Sequence, residues 1–490
     1  MNVLNANDIR KIEKNAFESG ISFLDMMENA GIGAVKEILK RYQVNGKNVV
    51  VVAGGGNNGG DGYAVARLLE NEGAFVRIIK TDEPYSETAK EMASRFIGEV
   101  IDFDASYIYE ADIIIDAIFG IGFSRCLDER YEEIIGSING SSAVKISLDI
   151  PSGVFADSNQ VKNAVKADLT VTFIARKPSS VLYPAAEFYG ECVTVDIGIG
   201  LDAFNGIKKV GEIISAPVFK KRIRNTHKGT YGTVSLICGS YGMAGAAVLS
   251  AKAALRSGVG LAKITVPENI YPVITLSVPE AVCNVYTKND APKSIIGKAI
   301  NGARAVVFGC GIGVTDFTKE LLNQVLENYN GKLIIDADGL NIISTNIECI
   351  KHSGADIILT PHPAEMARLC GVSVESIEND RIGYAKTLAK TLDCTVVLKG
   401  NITVIASKEE VYFNINGNAG MATGGSGDVL SGIMGAVACN LTDAQDIAVS
   451  SVYIHGAAGD MATEKYGEIS ALPTDTIKFL PEVYKTLGEI

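Results

Sequence analysis

Short runs of β-branched and other apolar residues alternate with stretches of helical periodicity along most of the chain. In the first half, the runs carry apolar residues on both faces, which is the pattern of strands buried in a parallel sheet. These runs are NVVVVA at 48–53, FVRIIK at 75–80, DIIIDA at 112–117, KISLDI at 145–150 and LTVTFI at 169–174. The alternation predicts an α/β architecture with helices on both faces of one sheet.

A helix is predicted before the first of these strands. Ser22, followed three residues later by Asp25, has the spacing of a helix N-cap. The apolar positions after Ser22 recur at helical spacing: Phe23, Met27, Ala30, Ala34 and Ile38.

The pattern lapses around residues 200–222, and a second series of strand and helix patterns then begins. Its apolar runs lie at 233–239, 261–266, 305–311, 332–338, 356–361 and 395–406, with amphipathic helices such as 244–257 between them. A chain of 490 residues also exceeds the roughly 250–300 residues that one hydrophobic core organises. We therefore predict two α/β domains, 1–212 and 213–490.

Composition and charge narrow the class of protein. The chain is 47% hydrophobic and 21% charged, as expected of a packed globular interior. Its net charge is −12 and it has no long basic run, so nucleic acid is not expected as a partner. The N-terminal segment lacks the pattern of a secretory signal, and no apolar run is long enough for a membrane span. We expect a cytoplasmic protein without a membrane partner, whose nine cysteines are reduced and mostly buried.

The first candidate for chemistry is a glycine-rich segment. Strand 48–53 leads directly into GGGNNGGDG at 54–62, and a helical pattern follows. A strand, a glycine loop and a helix N-terminus form an anion site, because free backbone N–H groups and the helix dipole both favour negative charge. An ordinary βα turn is the alternative, but these glycines with two asparagines and an aspartate exceed what a turn requires.

Two further strand ends carry oxygen ligands. Asp116 ends one strand, and Asp149 with Ser152 follows another. Since ligands bind at the carboxyl ends of the strands in doubly wound sheets, these loops should converge on the glycine-rich loop. Each aspartate alone could be a turn or helix cap; together they suggest a site for a hard cation.

The second candidate lies near the C-terminus, where NAGMATGGSGD at 418–428 leads into a helix. Glycine amides at a helix N-terminus can hold the charge of a transferred phosphoryl group, while Asp428 can take a proton from an attacking hydroxyl. A helix start with Asp428 as a favourable first-turn acid is the alternative. No P-loop motif occurs, so a small-molecule kinase of another type is indicated.

Three other segments accompany this element. Lys399 to Thr403 end a strand with a cation and donors suited to a nucleotide, although a lysine there is often solvated. His362 lies between prolines, where a structural hydrogen bond is as common as a substrate contact. The segment HKGTYG at 227–232 opens the domain and is explained equally well by strand-to-helix packing.

The motifs GGGNNGGDG, DAIFGIG and LDIPSG, in this order, resemble the epimerase domain of the bifunctional NAD(P)H-hydrate repair family. The resemblance implies a Rossmann-like doubly wound sheet and an acid/base role for Asp149, which exchanges the R and S configurations at C6. It implies a potassium ion held by Asn58, Asp116 and Ser152. It also implies that the hydrated cofactor contacts Asn57, Asn58, Gly59, Gly60, Asp61, Gly120, Ile121, Gly122, Phe123, Ser124, Arg125, Cys126 and Asp149.

The later segments resemble the ribokinase-like NAD(P)H-hydrate dehydratase, an α/β/α sandwich. The resemblance implies that ADP, with Mg²⁺, phosphorylates the C6 hydroxyl of the S epimer with Asp428 as the base. Loss of phosphate then restores the nicotinamide. The implied substrate contacts are Ala246, Gly313, His362 and Asp428, and the implied nucleotide contacts are Lys399, Gly400, Asn401, Ile402, Thr403 and Gly427. Ala364 and Ser426 replace the glycine and threonine usual in the family, which affects fine geometry.

Taken together, the two resemblances imply repair of NADHX and NADPHX by a homo-oligomer, a tetramer or octamer. Two other functions remain open on the residues. A kinase of a vitamin precursor would use the same glycine and aspartate element, and the first domain could be a binding scaffold without catalysis. The epimerase-like motifs argue against the first alternative, and the joint presence of the polar residues at the three strand ends argues against the second.

Overall fold

The computed structural model describes residues 1–489 and separates into two compact units, Met1–Glu212 and a second unit that begins at Ile213. The strands of the first unit are β1 (Asn2–Val3), β2 (Asn48–Ala53), β3 (Phe75–Lys80), β4 (Glu99–Ile101), β5 (Ile113–Ala117), β6 (Val144–Leu148), β7 (Leu169–Phe173), β8 (Glu191–Val195) and β9 (Gly211–Ile213), the last of which crosses the division. Its helices are α1 (Ala6–Glu18), α2 (Phe23–Leu39), α3 (Asn57–Asn71), α4 (Glu87–Arg95), α5 (Ala105–Glu110) and α6 (Glu129–Gly140). Short 3₁₀ turns occur at Pro178–Ser180, Ala185–Phe188 and Leu201–Phe204.

A parallel sheet forms the centre of the first unit. Its strand order is β4-β3-β2-β5-β6-β7-β8, while β1 pairs antiparallel with β9. The predicted parallel strands are thus confirmed, although only Ile78 and Ile79 of β3 are buried, and β4 and β8 add two edge strands that the pattern did not indicate. The chain runs outward from β2 to β4 and then returns to place β5 on the other side of β2. The carboxyl ends of β2 and β5 therefore lie at the topological switch point, where doubly wound sheets bind ligands.

Side-chain caps explain where several helices begin. Ser22 accepts a hydrogen bond from the Asp25 N–H at the start of α2, as predicted from the sequence. Most of the predicted apolar stripe of α2 is buried, with Ala34 and Ile38 fully enclosed, but Phe23 at its start is exposed. Such caps satisfy backbone donors that a helix N-terminus leaves without partners.

The second unit contains β10 (Val218–Phe219), β11 (Thr233–Ile237), β12 (Leu261–Pro267), β13 (Val282–Tyr286), β14 (Ala305–Phe308), β15 (Lys332–Ile335), β16 (Asp356–Leu359), β17 (Thr395–Leu398), β18 (Thr403–Ala406), β19 (Val411–Asn414) and β20 (Gly488–Glu489). Its helices are α7 (Ala244–Arg256), α8 (Tyr271–Ser277), α9 (Pro292–Ile300), α10 (Asp316–Asn328), α11 (Asp338–Ile343), α12 (Pro363–Cys370), α13 (Val374–Asn379), α14 (Arg381–Leu392), α15 (Ser426–Val437), α16 (Ala444–Tyr466) and α17 (Pro473–Thr486). Its 3₁₀ turns are Lys228–Tyr231, Glu268–Ile270, Ile347–His352 and Ala419–Met421.

The main sheet of the second unit has the order β19-β18-β17-β16-β15-β14-β11-β12-β13. Strands from β17 to β13 in that order are parallel, and the chain reverses its direction of growth between β11 and β14. The sequence indicated one apolar run over 395–406, but the structure divides it into β17 and β18, which pair antiparallel. Residues 399–402 form the turn between the two strands.

Two remaining sequence expectations concern the whole chain. Within the described residues, no helix has both the length and the apolar character that crossing a bilayer requires. All the cysteines are free thiols; four are buried, four are partly buried, and Cys126 is exposed. The expectation of mostly buried cysteines therefore holds only in part.

Candidate active sites

The first candidate site begins at the N-terminus of α3, which has no side-chain cap. Its N-cap residue is Gly56, and no side chain accepts a hydrogen bond from the first turn. Backbone donors at such a terminus are available to an anion, and the helix dipole adds favourable charge. The predicted residue Asn57 is the first residue of this helix, and Asp61 lies one turn later.

Close packing accounts for several glycines of the segment at 54–62. A Cβ on Gly54 would lie 2.1 Å from the Ile118 carbonyl oxygen, and one on Gly59 would lie 1.8 Å from the Gly54 carbonyl oxygen. A Cβ on Gly62 would meet the Ala117 Cβ at 2.6 Å. The glycines that seemed surplus to a turn are therefore needed to bring α3 against β2 and β5, in addition to exposing amides.

Asp116 lies at the end of β5, fully buried and surrounded by donors. Its Oδ1 accepts from the Ser152 hydroxyl at 2.5 Å and the Ile118 N–H at 3.3 Å, and its Oδ2 accepts from the Ser147 hydroxyl at 2.7 Å and the Ser152 N–H at 2.8 Å. Burial raises the pKa of Asp116 although these hydrogen bonds oppose the shift. Asp116 and Ser152 are thus brought together as predicted, and Ser152 supplies two of the four hydrogen bonds that Asp116 accepts.

Asp149 follows β6 in a left-handed backbone conformation, with φ of 66°. Its Oδ2 accepts a hydrogen bond from the Ile121 N–H at 3.1 Å, and its Oδ1 receives the ammonium group of Lys177. A residue at positive φ other than glycine is strained and persists only where its surroundings hold it. The Ile121 N–H and the Lys177 ammonium group hold the two oxygens of the Asp149 carboxylate beside the loop that follows β5.

Sequence reasoning missed Lys177. Its side chain is fully buried, and its Nζ also donates to the Thr172 hydroxyl at 2.6 Å and to the Phe173 carbonyl oxygen at 3.1 Å. All three ammonium donors are consequently used. No local motif marked this lysine, since its partner Asp149 lies 28 residues earlier in the chain.

Asn58 is buried with both side-chain amide atoms lacking a hydrogen-bond partner among the described residues. It lies next to Gly120, whose added Cβ would be 3.3 Å from the Asn58 Cβ and 3.1 Å from the Asp149 Oδ2. An unpaired buried amide costs free energy unless a ligand satisfies it. Asn58 therefore has an amide oxygen and nitrogen with which it could meet a ligand beside Asp149.

Helix α1 contributes two further residues that the sequence did not indicate. Arg10 donates from Nη2 to the Ile121 carbonyl oxygen at 3.3 Å. One helical turn later, Glu13 lies near Asp149 and Lys177, and burial together with the charge of Asp149 raises the pKa of Glu13 to about 7. Burial, Asp149 and Glu13 raise the pKa of Asp61 well above its usual range. Burial and the neighbouring carboxylates therefore disfavour the ionised forms of both Glu13 and Asp61.

The other predicted contacts in the loop after β5 differ in exposure. Phe123 is buried and stacks between Phe119 and Phe155, with ring centroids 4.8 and 5.3 Å away. Gly122 lies near Arg10, whereas the side chains of Ser124, Arg125 and Cys126 are exposed. Phe123 therefore anchors the loop, and a role for the last three in binding stays a prediction.

The second candidate site is a cavity of about 690 Å³ in the second unit. Helix α15 begins at its wall with Gly425 as N-cap, at φ of 100°, and without a side-chain cap. The cavity gathers predicted residues from several strand and helix ends: His362, Lys399, Gly400, Asn401, Thr403, Gly427 and Asp428. Ile402, Ala246 and Gly313 are not among the described residues that line it.

Asp336, at the end of β15, connects the parts of this site and was missed from the sequence. It is fully buried and accepts hydrogen bonds from the Lys399 ammonium at 2.8 Å, the Thr360 hydroxyl at 2.7 Å and the Ser431 hydroxyl at 2.8 Å. Lys399 is therefore a mostly buried ion-pair partner, and the alternative of a solvated strand end is wrong for it. Glu365 lies 3.9 Å from the same ammonium group.

Asp428 lies in the first turn of α15, close to the Asp336 carboxylate and the Cys310 thiol. Burial and the negative charge of Asp336 raise the pKa of Asp428 to about 6. A carboxylate with that pKa is mostly ionised at neutral pH and accepts a proton more readily than an ordinary aspartate. This arrangement suits Asp428 to the role of general base.

His362 has an observed structural role as the N-cap of α12. Its Nδ1 accepts hydrogen bonds from the Ala364 and Glu365 N–H groups at 3.1 and 3.3 Å. Burial and the charge of Lys399 lower the pKa of His362. The ring thus caps the helix through Nδ1 while lining the cavity, and its contact with substrate stays a prediction.

Ala246 and Gly313 contact residues that lie close in the chain to Cys310 and Asp336. An added Cβ on Gly311 would approach the Ala246 Cβ to 2.9 Å, and Gly313 donates its N–H to the Asp338 carboxylate at 2.8 Å. Another group that sequence reasoning missed is the partly buried His455, which lines the cavity and whose pKa is lowered to about 4 by desolvation. It faces the Ser426 hydroxyl at 3.4 Å.

Comparison with known proteins identifies the family. A model described as NAD(P)H-hydrate dehydratase matches residues 234–482, and one described as the YjeF-related protein N-terminus matches residues 24–179. The chain is 36% identical over 493 residues to the bifunctional NAD(P)H-hydrate repair enzyme Nnr of Coxiella burnetii, covering 98% of this chain and 99% of that protein. The chain belongs to the bifunctional NAD(P)H-hydrate repair enzyme family. The Escherichia coli member of the family is 34% identical to this chain. The alignment covers 98% of this chain and 93% of that protein.

Solved structures are similar to the second unit of this repair-family chain. A ribokinase-like superfamily protein from Enterococcus faecalis matches with a TM-score of 0.51 and 25% identity, covering 58% of this chain and 99% of that one. The ADP/ATP-dependent NAD(P)H-hydrate dehydratase of Bacillus subtilis, co-crystallised with ATP and Mg²⁺, is 34% identical with a TM-score of 0.49, covering 55% of this chain and 95% of that one. The expected ribokinase-like fold of the second unit is confirmed.

Proposed function

We propose that the chain repairs hydrated NADH and NADPH in two steps, an exchange of the C6 epimers in the first unit and an ADP-dependent dehydration of the S epimer in the second. The observation that carries the proposal is the placement of Asp428. Its carboxylate stands at an uncapped helix N-terminus in the same cavity as the Lys399–Thr403 loop. A proton acceptor, a phosphate-binding terminus and a candidate nucleotide loop are therefore available to one bound pair of substrates.

In the dehydration, Asp428 takes the proton of the C6 hydroxyl, whose oxygen attacks the terminal phosphoryl group of ADP. The bond to AMP breaks, and backbone donors at the start of α15 stabilise the charge on the transferred group. Phosphate then leaves C6 while a proton leaves C5, which forms the ring double bond of NAD(P)H. Mg²⁺ bound with the nucleotide would supply positive charge to its phosphates.

In the epimerisation, Asp149 is the candidate acid/base. A change of configuration at C6 requires a bond to that carbon to break and re-form on the other face, with proton transfer at each stage. Lys177 and the Ile121 N–H fix the Asp149 carboxylate for this role. Contacts of the substrate with Asn57–Asp61 and Gly120–Cys126 would place its phosphates at the start of α3.

The proposed potassium ligands fit unequally. Asn58 offers an amide oxygen that is buried and unpaired, as a cation ligand requires. Asp116 already accepts four hydrogen bonds, so an ion at its carboxylate would replace the Ser152 hydroxyl as a partner. A potassium ion held there would supply positive charge beside the α3 terminus.

The deciding experiment supplies purified protein with ADP, Mg²⁺ and a mixture of the R and S hydrates. Regenerated NADH should exceed the fraction supplied as the S epimer, because exchange converts the remainder. An Asp428→Asn chain is the matched control for dehydration. If the chain phosphorylated vitamin-precursor alcohols and released no NADH, the kinase alternative would replace this proposal.

A further inference from the structure

Arg381, the first residue of α14, lies directly beneath the Lys399–Thr403 loop. The residue is only 8% exposed. One terminal nitrogen, Nη2, donates to the carbonyl oxygens of Leu398 at 3.2 Å, Lys399 at 3.0 Å and Ile402 at 3.3 Å. A single buried cation thus connects both ends of the loop that joins β17 to β18.

The other terminal nitrogen is anchored on the opposite side. Nη1 of Arg381 donates to both carboxylate oxygens of Glu378, at 3.2 and 3.1 Å. The planar guanidinium presents its donors in a fixed fork, so contacts on two sides fix its orientation. Lysine, with one tetrahedral ammonium group, has no equivalent geometry.

The position of the Arg381 guanidinium explains why residue 400 is a glycine. A Cβ added to Gly400 would lie 2.4 Å from Nη2 of Arg381, and further guanidinium atoms would lie within 3.0 Å. Because Arg381 is buried and held by several hydrogen bonds, it has little freedom to move away. The glycine therefore allows the loop to close onto the guanidinium.

The loop leaves its backbone donors available. Within residues 1–489, the N–H groups of Gly400, Asn401 and Ile402 donate to no other protein group, while the carbonyl oxygens of Lys399 and Ile402 accept from Arg381. Gly400 and Asn401 line the cavity that also contains Asp428. Successive free N–H groups form a concavity that attracts anions such as phosphate oxygens.

We propose that Arg381 is a positioning residue that holds the Lys399–Thr403 loop in its nucleotide-binding conformation before a nucleoside diphosphate arrives. This inference rests on the proposed function of the second unit. Because the loop is already ordered in the free protein, nucleotide binding does not incur the entropic cost of ordering it. The affinity for the nucleotide is therefore higher. Arg381 touches neither substrate nor phosphate in this role.

The test measures steady-state dehydration of the S hydrate by the full chain carrying Arg381→Lys or Arg381→Met. We expect the KM for ADP to rise by roughly tenfold or more, because the loop must be ordered during binding. The kcat at saturating ADP and the KM for the hydrate should change by less than about threefold. Lys386→Met, an exposed cation on the same helix, is the matched control and should leave all three values unchanged.

Further variants separate positioning from a general structural role. Gly400→Ala should raise the KM for ADP in the same way, and its effect should not add to that of Arg381→Lys, since both displace the same contact. A loss of kcat with an unchanged KM for ADP would overturn the inference, as would wild-type kinetics in Arg381→Lys. If Arg381→Met does not fold, Arg381→Lys and Gly400→Ala decide. A wild-type chain without ADP-dependent dehydration would instead contradict the proposed function.

Discussion

Four buried or partly buried aspartates differ in what surrounds their carboxylates, and these surroundings separate their roles. Asp116 accepts four hydrogen bonds from neutral donors, while Asp149 and Asp336 each pair with a lysine. Asp428 has a raised pKa and a nearby carboxylate. Of these, Asp428 is best suited to remove a proton from a bound hydroxyl at neutral pH.

The pH dependence of dehydration tests that role. A base must be ionised, and the pKa of Asp428 is raised from 3.8 to about 6, so dehydration should fall as the pH is lowered through about 6. Asp428→Asn should abolish dehydration and leave epimer exchange intact, as measured by the interconversion of separated epimers. Dehydration that persisted in Asp428→Asn would remove the assignment.

Lys177 provides a test of the first site. Lys177→Met removes the cation from a buried pair and leaves the Asp149 carboxylate without it, which should destabilise the first unit by about 3–5 kcal/mol. Calorimetry with epimerase activity as a second measurement would show the loss. Adding Asp149→Asn should recover part of the stability, since the uncompensated charge is then gone; equal losses in the single and double variants would contradict this view of the pair.

The helices that begin at the two candidate sites share a structural feature at their N-termini. Helices α3 and α15 both begin at a glycine without a side-chain cap, whereas α2, α10 and α12 begin with side-chain caps. An uncapped N-terminus leaves backbone donors for a ligand. The glycines around α3 also set how closely that helix approaches the sheet.

Paired glycine substitutions in the first unit separate packing from helix propensity. Gly59→Ala would place a Cβ 1.8 Å from the Gly54 carbonyl oxygen and should destabilise the unit by more than about 2 kcal/mol. Gly136→Ala, in the exposed part of α6 with no atom within 4 Å, should stabilise it by up to about 1 kcal/mol. Thermal unfolding of the two variants measures both effects; a neutral Gly59→Ala would show that the close approach is not required.

At the scale of the whole molecule, each compact unit contains its own candidate site. Asp149→Asn and Asp428→Asn should therefore inactivate different steps. A mixture of the two variant proteins should convert the R hydrate to NADH, because the S epimer formed by one can diffuse to the other. The rate of NADH formation, compared with each variant alone, measures this complementation; its failure would indicate that substrate must stay with one chain. Cytoplasmic location and homo-oligomeric assembly stay predictions from the sequence.

Local sequence patterns predicted most of the central strands and the residues of the family-specific motifs. Buried strands appear as uninterrupted apolar runs, and the glycine-rich helix starts, Asp149 and Asp428 occur in local motifs. Strand ends were less certain, because Asp149 and Ile174 continue apolar patterns yet leave the strand at positive φ. The run at 395–406 shows the same limit, since hydrophobicity alone did not reveal its reversal.

The distant residues that complete the two sites became evident only in the folded chain. Lys177, Asp336, Glu13 and Arg381 have no local signature, because each acts on a partner that folding brings close. The folded chain also shows that the glycines at 54–62 allow α3 to pack against β2 and β5, in addition to exposing backbone amides. Local periodicity and motif spacing are properties of the chain, whereas a buried charge acquires its partner, and therefore its function, only when strands from different parts of the sequence align in one sheet.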